Sequence, residues 1–155
     1  MKRSISFLFI LSLLFSAVAC SSKVPLDRTG IQTKSILSVL NDISRSYENK
    51  NLSAFLSNVS DSYSDRDTFS NSLVALFAKC KAINFKIHYT KMLIVITEKG
   101  QIKVSCNWET EWLALDGTSQ KNGGRVTFVF EQKNFKLASI DGASPFFPVN
   151  RPIRP

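Results

Sequence analysis

The feature that most constrains the fold is a run of strictly alternating residues in the middle of the chain, from Ile102 to Trp112. Every second residue of this run is apolar or a threonine, and every residue between them is polar or charged. Side chains of a β-strand point alternately to the two sides of its sheet, so the period predicts a strand with one buried face. A half-buried strand of this kind is typical of an antiparallel sheet.

A second long strand is predicted just before this run. Residues 83–89 alternate between apolar and polar side chains, whereas residues 92–97 are almost entirely apolar. The change of phase near Thr90 predicts a bulge or a bend within one strand. Glu98-Lys99-Gly100-Gln101 then predicts a tight hairpin turn into the alternating run.

Two further strands are predicted after the run, at residues 126–131 and 135–140. Asp116-Gly117 and Asn122-Gly123-Gly124 have the composition of turns, and they predict a long hairpin loop that precedes these strands. The sheet is therefore expected to be an antiparallel meander.

The segment before the strands has helical periodicity. Apolar residues at helical spacing between Ile36 and Tyr47 predict a first amphipathic helix. Asn51 is placed to cap a short second helix, and Asp67 to cap a third helix that begins with Phe69 on its apolar face. Helices followed by strands predict an α+β domain, in which the N-terminal helices pack on a strongly curved antiparallel sheet.

This order resembles the nuclear transport factor 2-like superfamily, the cone-shaped fold that ketosteroid isomerase and scytalone dehydratase share. The resemblance spans about residues 33–142 and is carried by the first helix, the loop at residues 61–65 and the strands through Trp108, Phe128 and Leu137. It implies a hollow between helices and sheet that binds a small molecule in many members, while other members are non-enzymatic interaction domains.

Six residues are predicted to line this hollow as an apolar pocket: Tyr63, Val104, Trp108, Trp112, Phe128 and Phe130. The alternative is that these large side chains simply fill the core, since aromatic residues dominate core burial.

An enzyme on this fold would need an acid, a base or a hydrogen-bond donor that points into the hollow. Asp61 or Asp65, together with His88 or Tyr63, are the candidates for an isomerase-like or dehydratase-like reaction. Capping and loop structure also explain the two aspartates, and a single histidine on a strand is typical of a structural residue. No Cys/His cluster indicates a metal, and no cofactor is predicted. The sequence therefore favours a non-catalytic domain.

The chain opens like an exported bacterial protein, with basic Lys2 and Arg3, an apolar core, and small Ala17 and Ala19 just before Cys20. The apolar core is shorter than the roughly 20 residues of a membrane-spanning helix. The cysteine directly after the cleavage site resembles the lipobox of bacterial lipoproteins, in which acyl chains are attached to the thiol. Ordinary signal peptidase cleavage, without a lipid, is the alternative.

These features divide the chain into four segments. Residues 1–19 are predicted to be a lipoprotein signal peptide, residues 20–32 a lipidated tether, residues 33–142 the domain, and residues 143–155 a proline-rich tail. The serines that follow Cys20 predict anchoring in the outer membrane, with the domain facing the periplasm. The membrane is therefore the expected partner of the N-terminus.

The tail contains adjacent Phe146 and Phe147, which predict either a lid on the domain or an exposed partner-binding segment. Folding back onto the domain is expected, because two adjacent exposed phenylalanines would be a liability. An assembly lipoprotein that uses this tail to hold an envelope complex is a further alternative.

Two cysteines remain in the predicted domain, Cys80 and Cys106. An oxidising compartment permits a disulfide between them, and two buried free thiols are the equal alternative.

The formal net charge of the chain is +8, and its basic residues are scattered rather than clustered. Scattered charge is typical of a solvated surface, although it also suits anionic lipid headgroups or cell-wall polymers. An exported chain without an aromatic-basic motif is not expected to bind nucleic acid. The expected function is binding of a small apolar ligand or of an envelope protein.

Overall fold

Helices precede strands in the computed structural model, which describes residues 28–148. The elements of this part are α1 (Arg28–Glu48), α2 (Leu52–Ser57), α3 (Arg66–Lys79), β1 (Cys80–Ile96), β2 (Gln101–Ala114), β3 (Ser119–Glu131) and β4 (Leu137–Gly142). The predicted signal peptide, Cys20 and the last residues of the predicted tail lie outside the described residues. No helix within residues 28–148 is long and apolar enough to cross a membrane.

The strands form one curved, unclosed antiparallel sheet in the order β1-β2-β3-β4. The predicted turn between β1 and β2 is confirmed, with Gly100 at a φ of 71° that favours glycine. The register of β1 shifts between His88 and Leu93, which confirms the predicted bulge near Thr90. The α+β prediction is thus confirmed.

The helices cover one face of the sheet, which we call the inner face. The predicted apolar face of α1 is confirmed, since Ile36, Leu40, Ile43 and Tyr47 are fully buried. They pack against the apolar face of β2 in a single core. α1 begins at Arg28, inside the segment 20–32 that the sequence assigns to the tether.

The cap of α2 is as predicted, and the cap of α3 is not. The side chain of Asn51 accepts a hydrogen bond from the Ala54 N–H at 3.0 Å. α3, however, begins at Arg66, and Asp67 lies within its first turn. The Asp65 carbonyl already accepts the first helical hydrogen bond, from Phe69 N–H, so Asp67 contributes a favourable charge near the helix N-terminus instead of a cap.

The predicted loop around Asn122-Gly123-Gly124 is wrong, because β3 runs without interruption from Ser119. Gly123 pairs with Glu109, and a Cβ at Gly123 would lie 3.0 Å from the Trp108 carbonyl oxygen. Glycine therefore marks a close approach of two strands here and not a turn.

Both edges of the sheet are partly covered. A short bridge between Val59 and Leu137 extends the sheet beyond β4. On the other edge, the Phe85 N–H of β1 donates to the Glu48 carboxylate of α1 at 2.9 Å.

Cys80 and Cys106 are free and buried, which is the second of the two alternatives. Cys80 lies opposite Ala114, at one end of β2, and Cys106 lies eight residues away along the same strand. Eight residues of strand span about 26 Å, whereas a disulfide needs Cα atoms within about 7 Å.

Candidate functional site

The residues predicted to line a pocket come together, but they fill the space between sheet and helices. Val104, Trp108, Trp112, Phe128 and Phe130 are each at most 3% exposed and belong to one continuous core. Tyr63 is half-buried at the margin of this core, where its ring lies 4.8 Å from that of Phe69. The core-filling alternative therefore describes these six side chains.

The centre of the hollow is occupied by Phe146, which comes from the start of the predicted tail. The residue is fully buried. Its ring centroid lies 5.0–6.2 Å from five other aromatic rings, those of Tyr47, Phe55, Phe69, Phe85 and Phe128. The expectation that the tail folds back is confirmed, and the chain supplies the occupant of its own hollow.

Three buried hydrogen bonds hold this segment in place. The Trp112 Nε1–H donates to the Tyr47 hydroxyl oxygen at 2.7 Å, and the Tyr47 hydroxyl donates to the Phe146 carbonyl at 2.8 Å. The Thr110 hydroxyl donates to the Pro145 carbonyl at 3.0 Å. The hydroxyls of Tyr47 and Thr110 and the indole N–H of Trp112 are thus engaged in positioning the tail. The buried indole N–H of Trp108, on the same strand, has no hydrogen-bond partner among the described residues.

The titratable groups of the interior are held neutral. Burial raises the pKa of Tyr47 far above its usual value. Burial likewise raises the pKa of the Cys106 thiol to about 11. A thiol that stays protonated is a poor nucleophile, so neither group has the character of an acid-base catalyst near neutral pH.

The structure places one of the acid-base candidates from the sequence, His88, apart from the others. Asp61 and Asp65 are exposed in the loop before α3, where Asp61 forms an ion pair with Arg66 at 2.7 Å. His88 lies on the opposite, outer face of the sheet, with its Nε2 at 3.3 Å from Glu109 Oε1. Tyr63 lies between the two aspartates in the same loop, half-buried against Phe69 on the inner side. The sheet therefore separates His88 from Tyr63.

An open groove of about 950 Å³ lies on the outer face, across β1, β2 and β3. Asn84, Glu111 and Lys121 form one cross-strand row, and Lys86, Glu109 and Gly123 form the next. Gly123 contributes no side chain to the groove, and a Cβ there would crowd the Trp108 carbonyl oxygen at 3.0 Å and Glu109 Cγ at 3.3 Å. We call this surface the outer groove, defined by Asn84, Lys86, Glu109, Glu111 and Lys121.

Both charge signs line the outer groove. Glu111 accepts a hydrogen bond from the Ser119 hydroxyl at 2.8 Å and pairs with Lys121 at 3.2 Å. The hydrogen bond from Ser119, followed by that from Lys121, lowers the pKa of Glu111 below its usual value. The surface is thus lined by charged groups of both signs, which suits recognition of a polar surface more than of an apolar molecule.

The sequence predicted the outward direction of Glu109 and Glu111 but not the outer groove. Its other members lie on β1 and on the part of β3 that was taken for a loop. The sequence also did not predict that Tyr47, Phe55 and Phe85 line the hollow. Its periodicity predicted that these residues are buried, but their contact with Phe146 depends on the tertiary fold.

No protein-family model and no curated protein sequence matches the chain. Solved structures, in contrast, match its fold. A nuclear transport factor 2-like superfamily protein from Salmonella enterica is 10% identical, with a TM-score of 0.60, over 76% of this chain and 93% of that chain.

Two enzymes or enzyme-like proteins are similar in structure as well. A scytalone dehydratase-like protein from Novosphingobium aromaticivorans is 8% identical, with a TM-score of 0.62, over 78% of this chain and 95% of that chain. The pinacolase BvnE from Penicillium brevicompactum is 13% identical, with a TM-score of 0.55, over 76% and 86%. The chain therefore has the nuclear transport factor 2-like fold, which carries enzymes and other functions alike.

Proposed function

We propose that this chain is a lipid-anchored, non-catalytic domain of a bacterial cell envelope that binds a protein partner through its outer groove. The observation that carries the proposal is the occupation of the hollow by Phe146. In a cone fold, the hollow is the place for a small substrate or ligand. A chain that fills it with its own tail leaves its outer surfaces for recognition.

The filled hollow favours a protein partner over a small apolar ligand. An apolar ligand would have to displace Phe146 and break the hydrogen bonds that Tyr47 and Thr110 make to the tail. The outer groove, in contrast, is accessible without any rearrangement. Its fixed charges would give a partner specificity through complementary charges.

The anchor is proposed at Cys20, which follows Ala17-Val18-Ala19 directly. Acylation contributes about 0.8 kcal/mol for each buried methylene, so two or more chains hold a protein stably on a membrane. The test is expression of the full chain in a bacterium that processes lipoproteins, followed by mass measurement of the N-terminal peptide. An added acyl mass on Cys20 would support the proposed anchor, and an unmodified peptide that starts at Cys20 would contradict it.

The partner is tested by site-specific photo-crosslinking in the same cells. A photoreactive residue at Lys121 is expected to give one defined adduct, which a matched residue at exposed Ser72 on α3 does not give. Glu109→Lys combined with Glu111→Lys should abolish that adduct while the amount of protein stays unchanged. Equal adducts from both positions, or an adduct that survives the charge reversal, would contradict a role for the outer groove.

Native mass spectrometry of the Cys20→Ala chain tests the small-ligand alternative. The bare protein mass is expected, because Phe146 occupies the hollow. An additional mass that leaves on denaturation would show that a small molecule is the true ligand, and its chemistry would indicate whether an enzyme activity should be sought.

A further inference from the structure

Three separate segments of the chain meet at one end of the sheet. Gln32, in the first turns of α1, lines a shallow surface groove together with Lys99, Gly100 and Lys133. The Gln132 N–H, after β3, donates to the Gly100 carbonyl at 2.9 Å. We call this the hairpin end. It consists of the β1–β2 turn with Lys99, the nearby outer-face residues Leu93, Val95 and Lys103, the start of α1 with Ile31 and Lys34, and Lys133 after β3.

The hairpin end exposes apolar side chains. Leu93 and Val95, on the outer face of β1, are 55% and 43% exposed, and Ile31 on α1 is 55% exposed. The other half of β1 differs, because its outer-face residues are the polar Asn84, Lys86 and His88. Exposed apolar residues in such a group indicate a contact surface.

The hairpin end is also basic. Four lysines lie at this end, Lys34, Lys99, Lys103 and Lys133, together with two acidic residues, Glu98 and Glu131. Glu131 accepts hydrogen bonds from the hydroxyls of Ser60 and Ser62 and from the amide of Asn134, and it pairs with Lys133 at 3.5 Å. The excess of positive charge therefore comes from Lys34, Lys99 and Lys103, which outnumber Glu98. A surface with apolar residues and an excess of lysines matches an anionic lipid surface, where each lysine near the headgroups is attracted to the membrane.

The covalent chain also places this end next to the proposed anchor. Eight residue steps separate Cys20 from Arg28, where α1 begins. Even a fully extended chain of this length spans only about 28 Å. β3 alone has 13 residues and is about 43 Å long. The end of the domain that contains the start of α1 therefore cannot move far from the membrane.

We infer that the hairpin end docks on the anionic membrane surface as a second contact beside the lipid on Cys20. The inference rests on the anchor proposed above. The acyl chains proposed on Cys20 would hold the chain on the membrane, but a lipid on a tether does not orient the domain, whereas a basic and apolar surface contact does. Docking of this end would also fix the orientation of the domain, with the opposite end of the sheet directed away from the bilayer.

The test uses the Cys20→Ala chain, which cannot be acylated, so that binding reports on the domain surface alone. Co-sedimentation with vesicles of phosphatidylcholine plus phosphatidylglycerol is expected, with weaker binding at higher salt and none to phosphatidylcholine alone. Lys34→Glu with Lys99→Glu, a reversal of two exposed lysines, should lower the partition coefficient about tenfold or more. Leu93→Ser with Val95→Ser should lower it independently of salt.

The matched control is Lys79→Glu with Lys81→Glu, the same charge change at the opposite end of the sheet, where Lys79 contacts the β2–β3 turn. It should leave the partition coefficient within a factor of two to three, since the reversed charges face away from the bilayer. Circular dichroism confirms that each variant is folded before its binding is compared.

Absence of binding to anionic vesicles, or equal loss in the control variant, would overturn the inference. A dimer in sedimentation velocity that disappears with Leu93→Ser and Val95→Ser would also overturn it, because the patch would then be an interface between two copies. The mass of the Cys20 peptide is measured separately, so failure of the anchor is distinguishable from failure of this surface.

Discussion

The two faces of the same sheet have opposite characters. On β2, the inner residues Val104, Trp108 and Trp112 are almost completely buried, whereas the outer residues Glu109 and Glu111 reach solvent. The space between the inner face and the helices is filled, and Phe146, which follows the last strand, fills its centre. The outer face is left open as a groove beside Gly123.

We therefore expect the inner face to determine the stability of the domain and the outer face to determine recognition. Close-packed interiors tolerate a loss of volume poorly, while exposed positions tolerate substitution well. Changes on the inner face should therefore affect unfolding, and changes on the outer face should affect binding with little effect on unfolding.

The largest effect is expected for Phe146→Ala. Loss of the ring leaves a cavity among five aromatic neighbours and should reduce the free energy of unfolding by about 3–5 kcal/mol. Urea denaturation followed by tryptophan fluorescence measures it. Phe147→Ala, at a partly buried neighbour, is the matched control and should cost much less. Equal effects of the two substitutions would mean that Phe146 does not fill the hollow.

Tyr47→Phe should have the next largest effect and reduce the free energy of unfolding by about 1–3 kcal/mol, because it leaves the Trp112 N–H and the Phe146 carbonyl without partners.

The pH dependence of stability gives a second test of the same hydroxyl. Burial raises the pKa of Tyr47 from 10.0, so the folded state keeps a proton that the unfolded state loses above that pH. Stability should fall as the pH rises past 10, and less steeply in Tyr47→Phe. An unchanged alkaline slope would contradict the buried position of this hydroxyl.

Glu131→Gln is expected to cost about 1–2 kcal/mol at neutral pH, because it weakens hydrogen bonds that join β3 to the loop after α2. The hydrogen bond from Ser60, followed by that from Ser62, lowers the pKa of Glu131 from 4.5 to about 2. The folded state then binds fewer protons than the unfolded state between these values, so stability decreases as the pH falls from 4.5 towards 2. Thermal melts across this range should show a smaller loss for Glu131→Gln than for the unchanged chain.

The smallest effect on stability is expected for Glu109→Ala, within about 0.5 kcal/mol, since its side chain is exposed on the outer face. The same substitution should weaken the crosslink from Lys121 if the outer groove binds a partner. A loss of stability comparable with that of Tyr47→Phe would remove the contrast between the two faces.

The sequence predicted the elements where a local period was strong. The alternation from Ile102 to Trp112 defined β2 and its buried face, and helical spacing from Ile36 defined the buried face of α1. Both predictions succeed because the period of a strand or a helix converts directly into the direction of its side chains.

Prediction failed where the role of a residue depends on contacts that the local sequence does not show. Gly123 looked like a turn residue because its close contact with the Trp108 carbonyl is visible only when β2 and β3 are paired. Asp67 looked like a helix cap because local sequence does not show that Asp65 already provides the first helical carbonyl.

The sequence by itself determined the fold class, the direction of the β2 side chains and the expectation that the tail folds back. Only the tertiary structure decided that Phe146 reaches the centre of the hollow, that His88 lies across the sheet from Tyr63, and that the outer groove exists. The physical reason is that side-chain direction follows from short-range geometry, whereas cavities and contacts depend on which distant segments pack together.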